Sequence, residues 1–150
     1  MKRLKIVVID GQGGRMGSLL IEKLKKKLDP SYQIFALGTN SIATAAMLRA
    51  GANYGATGEN PVLVNTRDAA LIIGPIGILA ADALLGEITP KMAAAVGKSN
   101  AEKLLLPVSK CHFHIAGAPE LSLSLLIDAA AEEAVSILKE LSGDTQVFSC

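Results

Sequence analysis

The chain has 150 residues, half of them hydrophobic, with fifteen basic and fourteen acidic side chains and a formal net charge of +1. That balance supplies no field to draw in nucleic acid, and 3% aromatic content with no Trp leaves no base-stacking platform. No apolar run reaches the roughly 18 residues a membrane helix needs, because Gly, Asp, Asn or Lys interrupts each one, and the length is that of one ordinary domain, 1–150.

Two cysteines, Cys111 and Cys150, are too few and too far apart for a disulfide framework or a zinc site. The opening Met1-Lys2-Arg3-Leu4-Lys5 runs straight into an apolar stretch with no signal-peptide core. A soluble cytoplasmic protein is the expectation.

Residues 4–9 form a β-branched run that predicts a buried strand. A glycine-dense turn follows, then a helix over 15–28 with Met16, Leu19, Leu20, Leu24 and Leu28 on one face, ended by Asp29-Pro30. The basic cluster Lys23, Lys25, Lys26 and Lys27 complements the dipole at that helix end. Gln33–Leu37 predicts a second strand, stopped by Gly38-Thr39-Asn40-Ser41, and 42–50 a small-residue helix closed by Gly51. Residues 52–61 predict a loop with room for one short extended piece, Val62-Leu63-Val64 a third strand, and Ala70-Leu71-Ile72-Ile73 a central strand that ends in Gly74-Pro75-Ile76-Gly77.

Residues 78–85 predict a helix, followed by a turn over 86–90. The next helix starts with Thr89 as N-cap and Pro90 in its first position and runs to about Val96, with Gly97 ending it. Leu104–Val108 and His112–Ala116 predict two further strands whose short junction allows an edge hairpin. Residues 121–141 predict a long helix with Leu126, Ala130, Ala134, Ile137, Leu138 and Leu141 as its apolar stripe. Alternating strands and helices with glycines at strand ends argue for an α/β fold, a three-layer Rossmann-like arrangement of a mostly parallel sheet with helices on both faces. In such a sheet the turns at Gly11–Gly17, Gly38–Asn40 and Gly74–Gly77 are delivered to one edge, where ligands sit.

The first turn, Asp10-Gly11-Gln12-Gly13-Gly14-Arg15-Met16-Gly17, holds four glycines in seven positions at a strand-to-helix junction. Glycine there permits a tight turn, brings backbone N–H groups close to a pyrophosphate, and lets the helix pack against the strand. A P-loop is excluded, because Ser18-Leu19 stands where a Lys-Ser/Thr pair is needed. The expected cofactor-binding set is Asp10, Gly11, Gln12, Gly13, Gly14, Arg15, Met16, Gly17, Gly38, Thr39, Asn40, Gly74, Pro75, Ile76 and Gly77. For Asp10, acceptance of loop N–H bonds and a magnesium or ribose contact are both open. Glu59 with Asn60, and Glu87 with Thr89 and Lys91, are further polar groups expected at the same edge.

Thr39 and Asn40 stand where NAD enzymes carry an Asp or Glu for the ribose. Neutral groups there tolerate a 2′-phosphate, and Arg15 could face it, which favours NADP over NAD; a mononucleotide or sugar nucleotide fits the same features. Cys111, His112 and His114 suggest a metal or nucleophile, but no third ligand or activating base accompanies them.

Gly-Gln-Gly-Gly-Arg-Met-Gly at 11–17 resembles the cofactor loop of dihydrodipicolinate reductases, where a similar G-x-x-G-R-M-G binds the pyrophosphate of NAD(P)H. The resemblance implies Gly11, Gly14, Arg15, Met16 and Gly17 as cofactor contacts. That family's second domain and paired-histidine catalytic motif have no counterpart, and His112-Phe113-His114 does not reproduce the latter. Across nearly its full length the chain is similar to a family of small bacterial proteins of unknown function. The likeness is carried by Asp10-Gly11-Gln12-Gly13-Gly14, Leu37-Gly38-Thr39-Asn40, Gly55-Ala56-Thr57-Gly58-Glu59-Asn60, Ile73-Gly74-Pro75-Ile76-Gly77 and Gly86-Glu87-Ile88-Thr89-Pro90. It implies a Rossmann-like fold and no activity.

The expectation is thus a small nucleotide- or dinucleotide-binding protein with an NADP-like ligand, with oxidoreductase chemistry left open and no catalytic residue or metal site assigned. A non-enzymatic ligand sensor or assembly module on the same fold is the alternative. Small-residue helices at Ala43–Ala46 and Ala93–Ala95 suit a homodimer.

Overall fold

The computed structural model describes residues 4–108 and 112–144. Five strands, β1 (Lys5–Asp10), β2 (Gln33–Gly38), β3 (Tyr54–Thr57), β4 (Leu71–Pro75) and β5 (Glu102–Leu106), form one sheet in the order β3-β2-β1-β4-β5. All four pairings are parallel. The register sets Asp10 opposite Gly38 and Gly38 opposite Thr57, so these strand ends finish flush at one edge. Strand order runs outward in one direction from β1 to β3 and in the other from β4 to β5, which makes the gap beyond Asp10 and Pro75 the switch point of a doubly wound sheet.

β1 and β4 read as uninterrupted apolar runs because both their faces are covered: Ile6, Val7, Val8, Ile9, Leu71, Ile72 and Ile73 are fully buried. On one face α1 (Arg15–Lys27), α2 (Ser41–Arg49) and α5 (Leu123–Lys139) pack through Met16, Leu20, Leu24, Met47, Ile127 and Leu138. On the other, α3 (Glu59–Asn65), a 3-10 turn (Ile76–Leu79) and α4 (Pro90–Lys98) pack through Val62, Ile78, Met92 and Val96. Lys23 and Lys27 on α1 pair with Asp128 and Glu132 on α5, so part of the basic cluster binds the neighbouring helix. Such exposed pairs are worth only about 0–1 kcal/mol each.

Four expectations from the sequence are corrected. Val62-Leu63-Val64 belongs to helix α3, with Val62 alone among them fully buried, and the third strand is the short extended piece Tyr54–Thr57. The segment 78–85 is no helix beyond the 3-10 turn: Asp82, Leu84 and Leu85 take φ of 66, 56 and 57°, and Gly86 88°, which a right-handed helix cannot contain. Residues 112–116 form no strand, so the expected hairpin is absent among the described residues, and Ser109, Lys110 and Cys111 lie outside them. Gly97 does not end α4, which continues to Lys98. The caps at Thr89 and Pro90 stand as expected, with Thr89 accepting from the Met92 N–H.

Candidate functional site

The glycine loop sits at the switch point, between the end of β1 and the start of α1. Gly14, at φ 72°, turns the chain into the helix, and its bare Cα lies where a Cβ would come within 2.7 Å of Ala43 Cα and 2.9 Å of Ala43 O on α2. Ala43 is accordingly buried against the loop, while Ala45 and Ala46 are half-buried. Gly14 offers no side chain to cap α1. Asp10 does this from the strand end: its Oδ1 accepts from the Gly11 N–H and its Oδ2 from the Gly17 N–H, each at 2.8 Å. Of the two roles open for Asp10, the geometry provides the acceptor of loop N–H bonds. Burial raises the Asp10 carboxyl above its ordinary value, the two backbone N–H groups oppose that rise, and the Glu87 charge adds to it.

A second carboxylate lies over the loop. Glu87 Oε2 accepts from the Gln12 N–H at 2.7 Å and from Thr39 Oγ1 at 2.8 Å, and Glu87 Oε1 accepts from Asn40 Nδ2 at 2.9 Å. Burial favours the neutral acid, but the bonds from Gln12, Thr39 and Asn40 together outweigh it and hold the Glu87 carboxyl below its ordinary value. Gly11 leaves room for this contact, since a Cβ there would collide with Glu87 Oε2, Thr39 Oγ1 and Leu84 Cδ1. Asn40 is fully engaged: its Oδ1 caps α2 by accepting from the Ala43 N–H, and its Nδ2 also donates to Gln12 O.

Counting the loop donors defines what remains for a ligand. The Gly11 and Gly17 N–H groups go to Asp10, Gln12 to Glu87, and Gly14 to Gly11 O. The N–H groups of Gly13, Arg15 and Met16 find no acceptor among the described residues, and Gly13 and Arg15 are exposed. The other expected site residues divide. Met16 and Gly38 are buried, Met16 in the core beneath α1 and Gly38 against Thr44. Gly74 lies inside β4, where a Cβ would meet Ile9 O at 2.7 Å, while Pro75, Ile76 and Gly77 lead off β4 at the switch-point edge. Arg15 lines a groove of about 280 Å³ with Leu19, Glu22, Leu123 and Ile127, between α1 and α5, and among the described residues its side chain makes no hydrogen bond to Thr39 or Asn40.

Glu59 receives the Thr89 hydroxyl, joining the starts of α3 and α4, and Lys91 lines a groove of about 480 Å³ between those helices that includes no residue of the glycine loop. His112 and His114 are exposed, and no group of three metal-ligating side chains occurs among the described residues. Glu87 reaches this edge as the sequence leads one to expect, and its seat on Gln12, Thr39 and Asn40 is the part that sequence reasoning missed. Its signal was the leftover acid in Gly86-Glu87-Ile88-Thr89-Pro90, but nothing in spacing ties residue 87 to residue 12.

Among the described residues no helix is long and apolar enough to cross a membrane. No curated protein sequence matches the chain. Among solved structures, the dodecameric FMN-dependent UbiX-like decarboxylase of Escherichia coli O157:H7 aligns with a TM-score of 0.50 at 13% identity, covering 98% of this chain and 100% of that one. At that identity the likeness is one of fold, and it agrees with the α/β layering described above. A universal stress protein from Archaeoglobus fulgidus aligns with a TM-score of 0.37 at 16% identity, over 70% of this chain and 98% of that one. Over residues 5–139, which take in the sheet and both helical layers, the chain belongs to the family described as Domain of unknown function (DUF3842).

Proposed function

We propose that this protein binds a nucleotide or dinucleotide, with a phosphate resting on the first turn of α1 and the sugar toward the end of β2. The observation that carries the reading is the set of three N–H groups, Gly13, Arg15 and Met16, left without an acceptor among the described residues at the switch point of a parallel sheet. A helix N-terminus there carries about half a positive charge, and a phosphate oxygen answers both the charge and the open donors. The Glu87 carboxylate already takes the Gln12 N–H, so a phosphate would rest on the Gly13, Arg15 and Met16 donors alone. The proposal is one of binding, and neither the loop nor its neighbours present a nucleophile or acid–base pair aimed at a ligand.

Within this reading two dinucleotides compete. The neutral Thr39-Asn40 pair speaks for NADP, and the Glu87 carboxylate seated on that pair speaks for NAD. Thermal unfolding against NADPH, NADH, ATP, AMP, FMN, S-adenosylmethionine and a sugar nucleotide tests the proposal. A ligand at a hundred times its Kd should raise Tm by about 5–10 °C for a chain of this size. Gly13→Asp is the control: a Cβ at Gly13 would have nothing within 4 Å, so the variant folds and sets a carboxylate beside the open N–H groups. Loss of the shift in Gly13→Asp is the expected result, and no shift from any panel member at millimolar concentration overturns the proposal. We propose self-association as well, and sedimentation of the free and ligand-bound protein reads it directly.

A further inference from the structure

We propose that Glu87 is the ribose-reading residue of this site: a carboxylate brought by the loop after β4 to the end of β2, where it selects a nucleotide whose ribose 2′-hydroxyl is free. This inference rests on the nucleotide reading above and goes further in naming the sugar that the site accepts.

The argument begins with the position. In dinucleotide-binding sheets the acid that accepts the ribose hydroxyls stands at the end of the second strand, beside the glycine loop. Here β2 ends in Gly38 and continues into the neutral Thr39 and Asn40, while the Thr39 N–H donates to Asp10 O at 3.0 Å, so this strand end adjoins the loop directly. Glu87 bridges the two, with Gln12 on one side and Thr39 and Asn40 on the other. A carboxylate therefore occupies the ribose-reading place although the second strand does not supply one.

Its remaining capacity fits a hydroxyl. A carboxylate offers about four acceptor sites, two on each oxygen. Oε2 already takes Gln12 and Thr39, whereas Oε1 takes Asn40 alone, so one site on Oε1 stays open on a half-buried side chain. A ribose hydroxyl donates to that site. A 2′-phosphate has no proton to donate to it and brings like charge against it, and no cation is bonded to Glu87, Thr39 or Asn40 among the described residues to offset that charge.

The seat is built in advance of any ligand. Leu84 and Ile88 are buried on either side of Glu87, and the segment closes on itself through Asp82 N–H to Ile88 O, Gly86 N–H to Asp82 O, Glu87 N–H to Leu84 O and Ile88 N–H to Ala83 O. Holding Asp82, Leu84 and Leu85 at positive φ is unfavourable for residues with a Cβ, and the segment is nevertheless kept in that form. Gly11 belongs to the same device, since any side chain there would drive into Glu87 and Thr39.

Calorimetric titration of the whole chain with NADH, NADPH and 2′-deoxyadenosine-NADH tests the inference, alongside Glu87→Gln and the full nucleotide panel. Wild type should bind NADH about tenfold or more tightly than either of the other two, and Glu87→Gln should bring all three within about threefold. The wild-type ratios stand without the variant, so a misfolded Glu87→Gln leaves the inference open to refutation. Equal or tighter binding of NADPH by wild type overturns it, as does a panel in which FMN alone binds, while the nucleotide reading survives both. A Glu87→Gln variant that tightens all three ligands equally shows a plug rather than a reader and also overturns it. If no nucleotide binds wild type, the nucleotide reading falls, and this inference falls with it.

Discussion

At the scale of single residues, the site is governed by two carboxylates whose environments push in opposite directions. Asp10 sits in the interior with its charge met by two backbone N–H groups, and replacing it by Ala leaves both groups buried without a partner. We expect a loss of about 2–4 kcal/mol in denaturant unfolding, since each stranded donor costs about 1–3 kcal/mol. Gly14→Ala should cost about 2 kcal/mol or more, because the residue must hold a left-handed φ of 72° and its Cβ meets the α2 backbone, which cannot move aside. For Glu87 the folded-state carboxyl lies below the ordinary value of 4.5, so its bonds stabilise the fold above that pH and the contribution disappears as pH falls through the folded value. The gap in unfolding free energy between wild type and Glu87→Gln should therefore be about 1 kcal/mol near pH 7, discounted for solvent screening, and should close on acidification below pH 4.5. Asp10 runs the other way: its folded carboxyl lies above 3.8, so its contribution is complete below that pH and declines as pH rises through the folded value.

At the scale of elements, the segment between the 3-10 turn and α4 is where local preference and tertiary demand part. Its composition, with Ile78, Leu79, Ala80, Ala81, Ala83, Leu84 and Leu85, has high intrinsic helix preference, and a helix is the natural expectation. What prevails is the need to bury Leu84 and Ile88 while the chain doubles back, and left-handed residues at 82 and 84–86 accomplish that reversal. Leu85 takes no part in the burial, being 97% exposed at φ 57°. Leu85→Gly should thus raise stability by about 0.5–1 kcal/mol, the relief of left-handed strain exceeding the added entropy of the unfolded chain. A fall in stability would show that the entropy gained by the unfolded chain outweighs the strain at this position. The same contest explains α3, whose β-branched Val62 and Val64 suggest a strand, while Glu59 in its first turn and Pro61 near its start suit a helix that only needs to bury Val62.

At the scale of the whole molecule, protection is graded across the sheet. β1 lies at its centre with both faces covered, whereas β3 is an edge strand whose Tyr54, Gly55 and Thr57 are exposed. Amides of β1 should exchange with solvent only through global unfolding, and those of Tyr54–Thr57 at least about 100-fold faster; comparable rates would mean that a second molecule shelters β3. The sequence by itself determined the layering: unbroken β-branched runs at 6–9 and 71–73 demand a sheet covered on both sides, and glycines at the strand ends place three turns on one edge. It also determined the local cap at Thr89, which depends on a donor three residues away, whereas the Asn40 cap on α2 emerged only in the structure. Only the tertiary structure decided which donors of the glycine loop stay open and where the acid of the site comes from. Those answers depend on contacts between Gln12 and Glu87, 75 positions apart, and between Thr39 and Glu87, 48 apart, which no periodicity or spacing encodes. A hydrogen bond across such a separation exists because packing brings strand ends from different parts of the chain to one edge, and that packing is a property of the folded whole.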